Sequence, residues 1–195
     1  MAGSVFITGN VAADALLNSD GTALLLGMLL DQQVPMEWAF PGPATLRTRL
    51  GHLDPALIAS LDEDSFVSVC CEKPAIHRYP AAMGRRIHAL CGVLTGDYDG
   101  AGANVWRNVA TGDELYHRLR ALPGFGEEKA RIFVALLAKR IGVAPAGWQD
   151  AAGAFADDRP RTVADIHDAE SLAEVREWKR AAKAARRDKQ DRPLA

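Results

Sequence analysis

Between residues 22 and 33 the chain is apolar at nearly every position. Ala23, Leu24, Leu25, Leu26, Met28, Leu29 and Leu30 leave no polar stripe for solvent. A helix apolar on all sides belongs at the centre of a helical fold, and this one ends in the polar Asp31-Gln32-Gln33. Around it, apolar positions recur at helical spacing in short runs bounded by capping residues, Pro or Gly. The pattern predicts a helix from Val11 capped by Asn10 and a turn at Asn18-Ser-Asp-Gly21. A short helix over 36–40 is broken by Pro41-Gly-Pro43. Helices follow over 44–50, 55–61 and 63–71, with Asp54 and Asp62 at cap positions. Residues 72–83 contain Pro74 and Pro80 and read as irregular, after which 82–95 puts Ile87, Leu90, Cys91 and Leu94 on one face. Thr111-Gly-Asp113 caps a helix over 114–121, and 127–141 turns Ala130, Phe133, Val134 and Leu137 inward. Short and long helices over 151–156 and 171–187 complete the pattern. Beyond a short extended start at Val5-Phe-Ile there is no strand pattern and no internal repeat, so the expected class is all-α, built from about ten short helices.

Composition narrows this picture. With 195 residues, 48% apolar and 25% charged, the chain suits one soluble domain or two tightly joined lobes. A net charge of −2 argues weakly against a nucleic-acid partner, though a local patch can bind phosphate whatever the average. The apolar run 23–30 is far below the roughly 20 residues needed to span a bilayer. The start of the chain lacks the basic and apolar regions of a secretory leader. Three cysteines, Cys70, Cys71 and Cys91, are no disulfide framework and fit a reducing cytoplasm. They also cannot supply four closely spaced ligands to an iron–sulfur cluster.

The most specific feature is Leu122-Pro-Gly-Phe-Gly126-Glu-Glu-Lys-Ala130, flanked by two helices. Pro123 stiffens the approach to the turn. Gly124 and Gly126 are expected to adopt angles that a side chain forbids and to leave backbone N–H groups uncovered at a helix N-terminus. Such amides, with the helix dipole behind them, bind phosphate without a basic side chain. The competing reading is an ordinary helical corner punctuated by Pro and Gly.

With this turn the chain resembles the helix-hairpin-helix base-excision glycosylase superfamily, which includes endonuclease III, the adenine and 8-oxoguanine glycosylases and the bacterial 3-methyladenine glycosylases. The likeness is strongest over residues 115–150 and next over Leu24–Gln33, which looks like the family's buried helix ending in a glutamine-bearing turn. It implies a two-lobed all-α fold with a DNA cleft between the lobes. The glycosylase domain would cover 1–170, with the hairpin at about 112–141, and a basic helix and tail would cover 171–195. It also implies a monomer acting on damaged double-stranded DNA in the cytoplasm, nucleoid-associated at most, without membrane, metal site or iron–sulfur cluster. A monovalent cation at the hairpin when DNA is bound is the one ion it allows. DNA contacts would come from Gln32, Gln33, Leu122, Gly124, Phe125, Gly126, Lys129 and Arg86, with Gln33 the residue that enters the duplex.

A glycosylase flips a nucleotide from the stack and cuts its N-glycosidic bond, and a carboxylate stabilises the cationic sugar or positions water. The family's aspartate follows a Gly/Pro-rich bend. Here the bend is Gly142-Val-Ala-Pro-Ala-Gly147 and Asp150 follows, a few residues late and without the usual flank. Asp157, Asp158 and Asp165 are rivals, and the competing reading of Asp150 is a cap for the helix over 151–156. Lyase members carry a hairpin lysine that forms a Schiff base. Glu128 occupies that position, and Lys129, one residue later, is rotated by about 100°. The resemblance therefore implies a monofunctional enzyme using water, with Lys129 a phosphate contact or a solvated lysine. Glu128 and Trp148 would line the base pocket, Glu128's alternative being a solvated first-turn carboxylate. Trp38 and Trp106 are weaker stacking candidates, and His77-Arg-Tyr79 with Arg85-Arg86 are candidate phosphate contacts. Residues 176–192 carry eight Lys/Arg against three Asp/Glu, the main basic feature. The alternative functions are a non-catalytic helix-hairpin-helix DNA-binding protein and a helical interaction protein without DNA.

Overall fold

The computed structural model describes residues 4–193. Among them the chain forms eleven α-helices and no strand: α1 Val11–Ser19, α2 Gly21–Leu30, α3 Met36–Ala39, α4 Gly42–Leu50, α5 Pro55–Ser60, α6 Glu63–Cys71, α7 Pro80–Asp97, α8 Gly112–Arg120, α9 Glu127–Leu136, α10 Trp148–Ala152 and α11 Ala169–Ala184. The all-α expectation holds. Among the described residues no helix is long and apolar enough to cross a membrane.

The caps read from the sequence are in place. The Asn10 side chain accepts the Ala13 N–H, Asp54 accepts from Ala56 and Leu57, and Asp62 accepts from Ser65. Asp20 ends α1 and caps α2 through the amides of Thr22 and Ala23, so the two helices meet without a loop. Two boundaries depart from expectation for one reason. Pro43 and Pro80 lie in the first turn of α4 and α7, where the missing N–H has no intrahelical partner to lose. Both helices therefore start earlier than a proline read as a breaker suggests.

The chain divides into two compact units. One comprises residues 8–108 and 121–125, the other residues 4–7, 109–120 and 126–193. The first is built round α2, every residue of which from Thr22 to Leu30 is buried. Helices α5 and α6 pack on α7 in the same unit. Cys70 and Cys91 are buried there, and burial pushes both thiols up to about 12, whereas Cys71 is exposed. All three cysteines are free.

The second unit packs α8, α9 and α10 together. Helix α9 runs on through a π-helical turn, Leu137–Ile141, and stops at left-handed Gly142. Helix α11 belongs to this unit and is capped reciprocally by Asp168 and Ser171. Its interior includes an ion pair between Lys139 and Asp165 at 2.7 Å, with side chains only 11% and 8% exposed.

Candidate nucleic-acid interface

Leu122 and Phe125 anchor the hairpin turn, each 3% exposed, and the Phe125 N–H closes it on the Leu122 carbonyl at 3.1 Å. Between them Gly124 is left-handed, φ +80°. A Cβ on Gly124 would lie 2.3 Å from Leu29 Cδ1 and 3.7 Å from Arg86 Cδ, so a side chain there would displace Leu29 and strain a positive φ, both of which glycine avoids. Gly126 is different. Its φ of −81° and ψ of 173° are open to any residue, which corrects the expectation of a glycine-only conformation there. What its missing side chain provides is space: nothing lies within 4 Å of where a Cβ would sit. Gly126 caps α9 without a side-chain acceptor, and first-turn amides have no acceptor within their own helix. Glu127 and Glu128 put two carboxylates in that turn, which would repel a phosphate. Each has a local counter-charge, Arg131 at 3.2 Å and Lys189 at 3.3 Å respectively.

Helix α2 stops at Leu30, where its apolar run ends and three residues before the end at Gln33 expected from the sequence, and the glutamines form a turn of their own. Gln32 is held at every polar group. Its N–H donates to the Leu30 carbonyl at 2.7 Å, and Nε2 donates to the Leu29 carbonyl at 2.6 Å. Its Oε1 accepts from Arg86 Nη1 at 2.7 Å, and its carbonyl meets His77 Nε2 at 2.9 Å. Gln33 is the opposite case: exposed, left-handed at φ +57°, and with no side-chain hydrogen bond among the described residues. Of the two glutamines, Gln33 is thus the free one and Gln32 its mount. Leu29, Gln32, Arg86 and Gly124 all belong to one unit. Four residues named from scattered parts of the sequence (Gln32, Gln33, Arg86, Gly124) are therefore gathered at the end of α2.

His77, expected at a surface phosphate contact, is instead 2% exposed. Its ring has two partners within the protein, the Gln32 carbonyl and the Tyr79 N–H. Beside it Tyr79 is 46% exposed with the Arg78 guanidinium 5.4 Å over its ring. Arg85 is drawn to Glu63 and Asp64. Trp106 is 9% exposed and belongs to the core, whereas Trp38 is 49% exposed.

In the other unit the candidate carboxylates separate clearly. Asp150 is exposed in the first turn of α10 and accepts no hydrogen bond among the described residues. Gly147, at φ +72°, is the N-cap of that helix, which begins at Trp148; Asp150 is therefore not a cap. It lines a cavity of about 330 Å³ with Asp113, Tyr116, Arg131 and Gly147. The Gly112 N–H bonds the Ala146 carbonyl at 2.8 Å and ties the preceding bend to the start of α8. Asp165, by contrast, is consumed by structure: it accepts from Lys139, from the Arg161 and Thr162 N–H groups and from the Thr162 hydroxyl. Asp157 is engaged by Arg161 at 2.6 Å. Burial opposes its ionisation, but the bonds from the Arg161 side chain and the Arg159 N–H prevail and hold its carboxyl below the usual range. Asp158 is exposed.

Glu128 borders a separate cavity of about 440 Å³ with Glu127, Arg131, Gly153, Gln190 and Arg192. Trp148 is half-buried and lines neither. It precedes Asp150 by two residues, which is about 200° round a helix. Arg131 borders both cavities, donating to the Ala151 carbonyl at 3.2 Å with its guanidinium 5.2 Å over the Tyr116 ring. Lys129 is half-buried. The basic tail is not an extended arm: Arg187 pairs with Asp191, Arg192 with Asp188 and Lys189 with Glu128. What sequence reading missed is Arg161, 2% exposed and bonded to Asp157 and to the Ala154 carbonyl.

No known family's sequence profile matches the chain, and no curated protein is significantly similar to it. Among solved structures, one similar chain is that of endonuclease III in a trapped covalent intermediate with DNA, an estranged-adenine complex. It has 15% identity and a TM-score of 0.45 over 67% of this chain and 56% of that one. The protein thus spans little more than half the length of that structure.

Proposed function

We propose that this chain is a monofunctional DNA glycosylase of the helix-hairpin-helix base-excision superfamily, hydrolysing the N-glycosidic bond of a damaged or deaminated base flipped from duplex DNA. The observation that carries the reading is the contact of Gly124 with Leu29. It seats the turn over residues 122–125 on the helix whose end presents Gln33. A helical corner serving only to reverse the chain needs neither the open Gly126 nor a free glutamine in a left-handed conformation.

In this reading the amides after Gly126 take a backbone phosphate, and Gln33 fills the gap left by the flipped nucleotide. The C1′–N bond breaks with its electron pair leaving on the base, positive charge develops on the sugar, and the oxygen of water bonds to C1′. The water loses a proton and the base gains one. Asp150, exposed and unpaired, has the charge and freedom to stabilise the cationic sugar or orient that water. Glu128, where lyase relatives carry lysine, cannot form a Schiff base.

Incubation with duplexes each bearing one lesion (uracil, hypoxanthine, 3-methyladenine or 8-oxoguanine), followed by alkaline cleavage of abasic sites, tests this. Strand cleavage only after alkali, for at least one lesion, is expected. DNA binding without base release from any of them would instead favour a non-catalytic clamp.

A further inference from the structure

Resting on that reading, we propose that His77 is a positioning residue. One buried imidazole ties together two loops 45 residues apart and fixes the left-handed backbone that presents Gln33 to DNA.

The protonation pattern follows from the partners. The Tyr79 backbone N–H is a donor and lies 3.0 Å from His77 Nδ1, so Nδ1 accepts and carries no proton. Nε2 therefore bears the hydrogen and donates to the Gln32 carbonyl at 2.9 Å. The imidazole is neutral, and both nitrogens are used inside the protein. That carbonyl belongs to the planar peptide joining Gln32 to Gln33, so holding its oxygen fixes the plane from which the φ of Gln33 is measured. Gln33 sits at φ +57°, a conformation that a residue with a side chain rarely adopts unless its surroundings impose it. The other bonds of Gln32, to Leu29, Leu30 and Arg86, hold its side chain and its own N–H. The bond from His77 is the one that acts on the peptide entering Gln33. A backbone already set before binding loses less freedom when its side chain enters a duplex, so the tether favours insertion.

Two variants separate the two bonds. His77→Asn places an oxygen near Nδ1 for the Tyr79 amide but is too short to reach the Gln32 carbonyl. His77→Gln reaches that carbonyl with Nε2 and lacks the Nδ1 acceptor. In the full-length protein, His77→Asn should lower the ratio of excision from duplex to excision from single-stranded DNA on the order of tenfold, the scale of one hydrogen bond to a poised group. His77→Gln should retain most of that ratio. Adding His77→Asn to Gln33→Ala should cause no further fall, because both act through one step. Equal losses on both substrates, or multiplying losses in the double variant, would overturn the proposal. Nuclear magnetic resonance gives an arm independent of activity. The His77 ring should show the neutral Nε2–H tautomer, and the amide coupling that reports φ at Gln33 should change in His77→Asn and not in His77→Gln. An Nδ1–H tautomer, or an unchanged Gln33 coupling in His77→Asn, contradicts the tether even if the protein excises nothing. Absence of excision with those signals present removes the glycosylase reading and leaves the tether standing.

Discussion

Gly124 meets Leu29 so closely that a single methyl group on Gly124 would sit 2.3 Å from Leu29 Cδ1. The hairpin turn is thereby seated on the central helix by the absence of a side chain. Gly124→Ala should destabilise the fold by about 1–3 kcal/mol, adding overpacking to a disfavoured left-handed φ, as measured by urea unfolding. Gly126 serves as the control. Gly126→Val places its Cβ in open space at ordinary angles, but Val caps a helix less well than Gly, so stability should fall by no more than about 1 kcal/mol. DNA affinity should fall alike for all sequences, read by fluorescence anisotropy. Unchanged affinity in the folded Val variant would remove the phosphate clamp.

Gln33 offers a test in which stability and activity move in opposite directions. Gln33→Gly relieves the left-handed strain and should stabilise the protein by about 1 kcal/mol. It should also reduce excision from duplex DNA more than from single strands, where no gap needs filling. A residue serving only the fold would not improve stability on removal. Equal losses of excision on both substrates would mark Gln33 as structural.

Much of this architecture is legible in the sequence because its determinants are local. Asn10, Asp54 and Asp62 cap the helices they precede, and the uninterrupted apolar run of α2 states its own burial. Errors arise where one residue type serves two purposes. Pro43 and Pro80 begin helices that a breaker would end, and Trp148 opens α10 ahead of the expected start at residue 151. The site was half legible. The hairpin glycines and the glutamine pair, with Gln33 preferred, are named from the motif, but what holds Gln32 is not visible there, because Arg86 and His77 lie 54 and 45 residues away from it. The division among the acidic residues is likewise invisible, because the partner that claims Asp165 is Lys139, 26 residues earlier.

Those acidic residues predict a sorting of stability from activity. Asp165→Asn breaks a buried ion pair and should destabilise by about 3–5 kcal/mol. Asp157 has its pKa lowered on folding, so its contribution is present above the carboxyl's unfolded pKa of about 4 and is lost as pH falls through the depressed value. Asp157→Asn should therefore flatten the acid limb of a stability-against-pH curve. The effect should be modest because the side chain is 45% exposed. Both folded variants should excise normally. Loss of excision in folded Asp157→Asn would move the catalytic role there.

The tail supplies fewer free cations than its composition suggests. Arg187, Lys189 and Arg192 are paired, and Arg180, Lys183 and Arg186 are exposed without an ion-pair partner among the described residues. Replacing those three by Gln should reduce the slope of log affinity against log salt by roughly 0.9 for each phosphate contact removed. An identical slope would make the tail a bystander.

The most direct measurement is single-turnover excision from a lesion duplex by the wild-type protein and by Asp150→Asn, with borohydride present in a parallel reaction. Asp150 is exposed and accepts no hydrogen bond among the described residues, so its amide variant should fold and bind DNA normally. The predicted result is base release leaving an unbroken abasic strand and no covalent adduct, with the rate in Asp150→Asn lower on the order of a hundredfold. A borohydride-trapped adduct, or full activity in Asp150→Asn, would contradict a water-using glycosylase that works through Asp150.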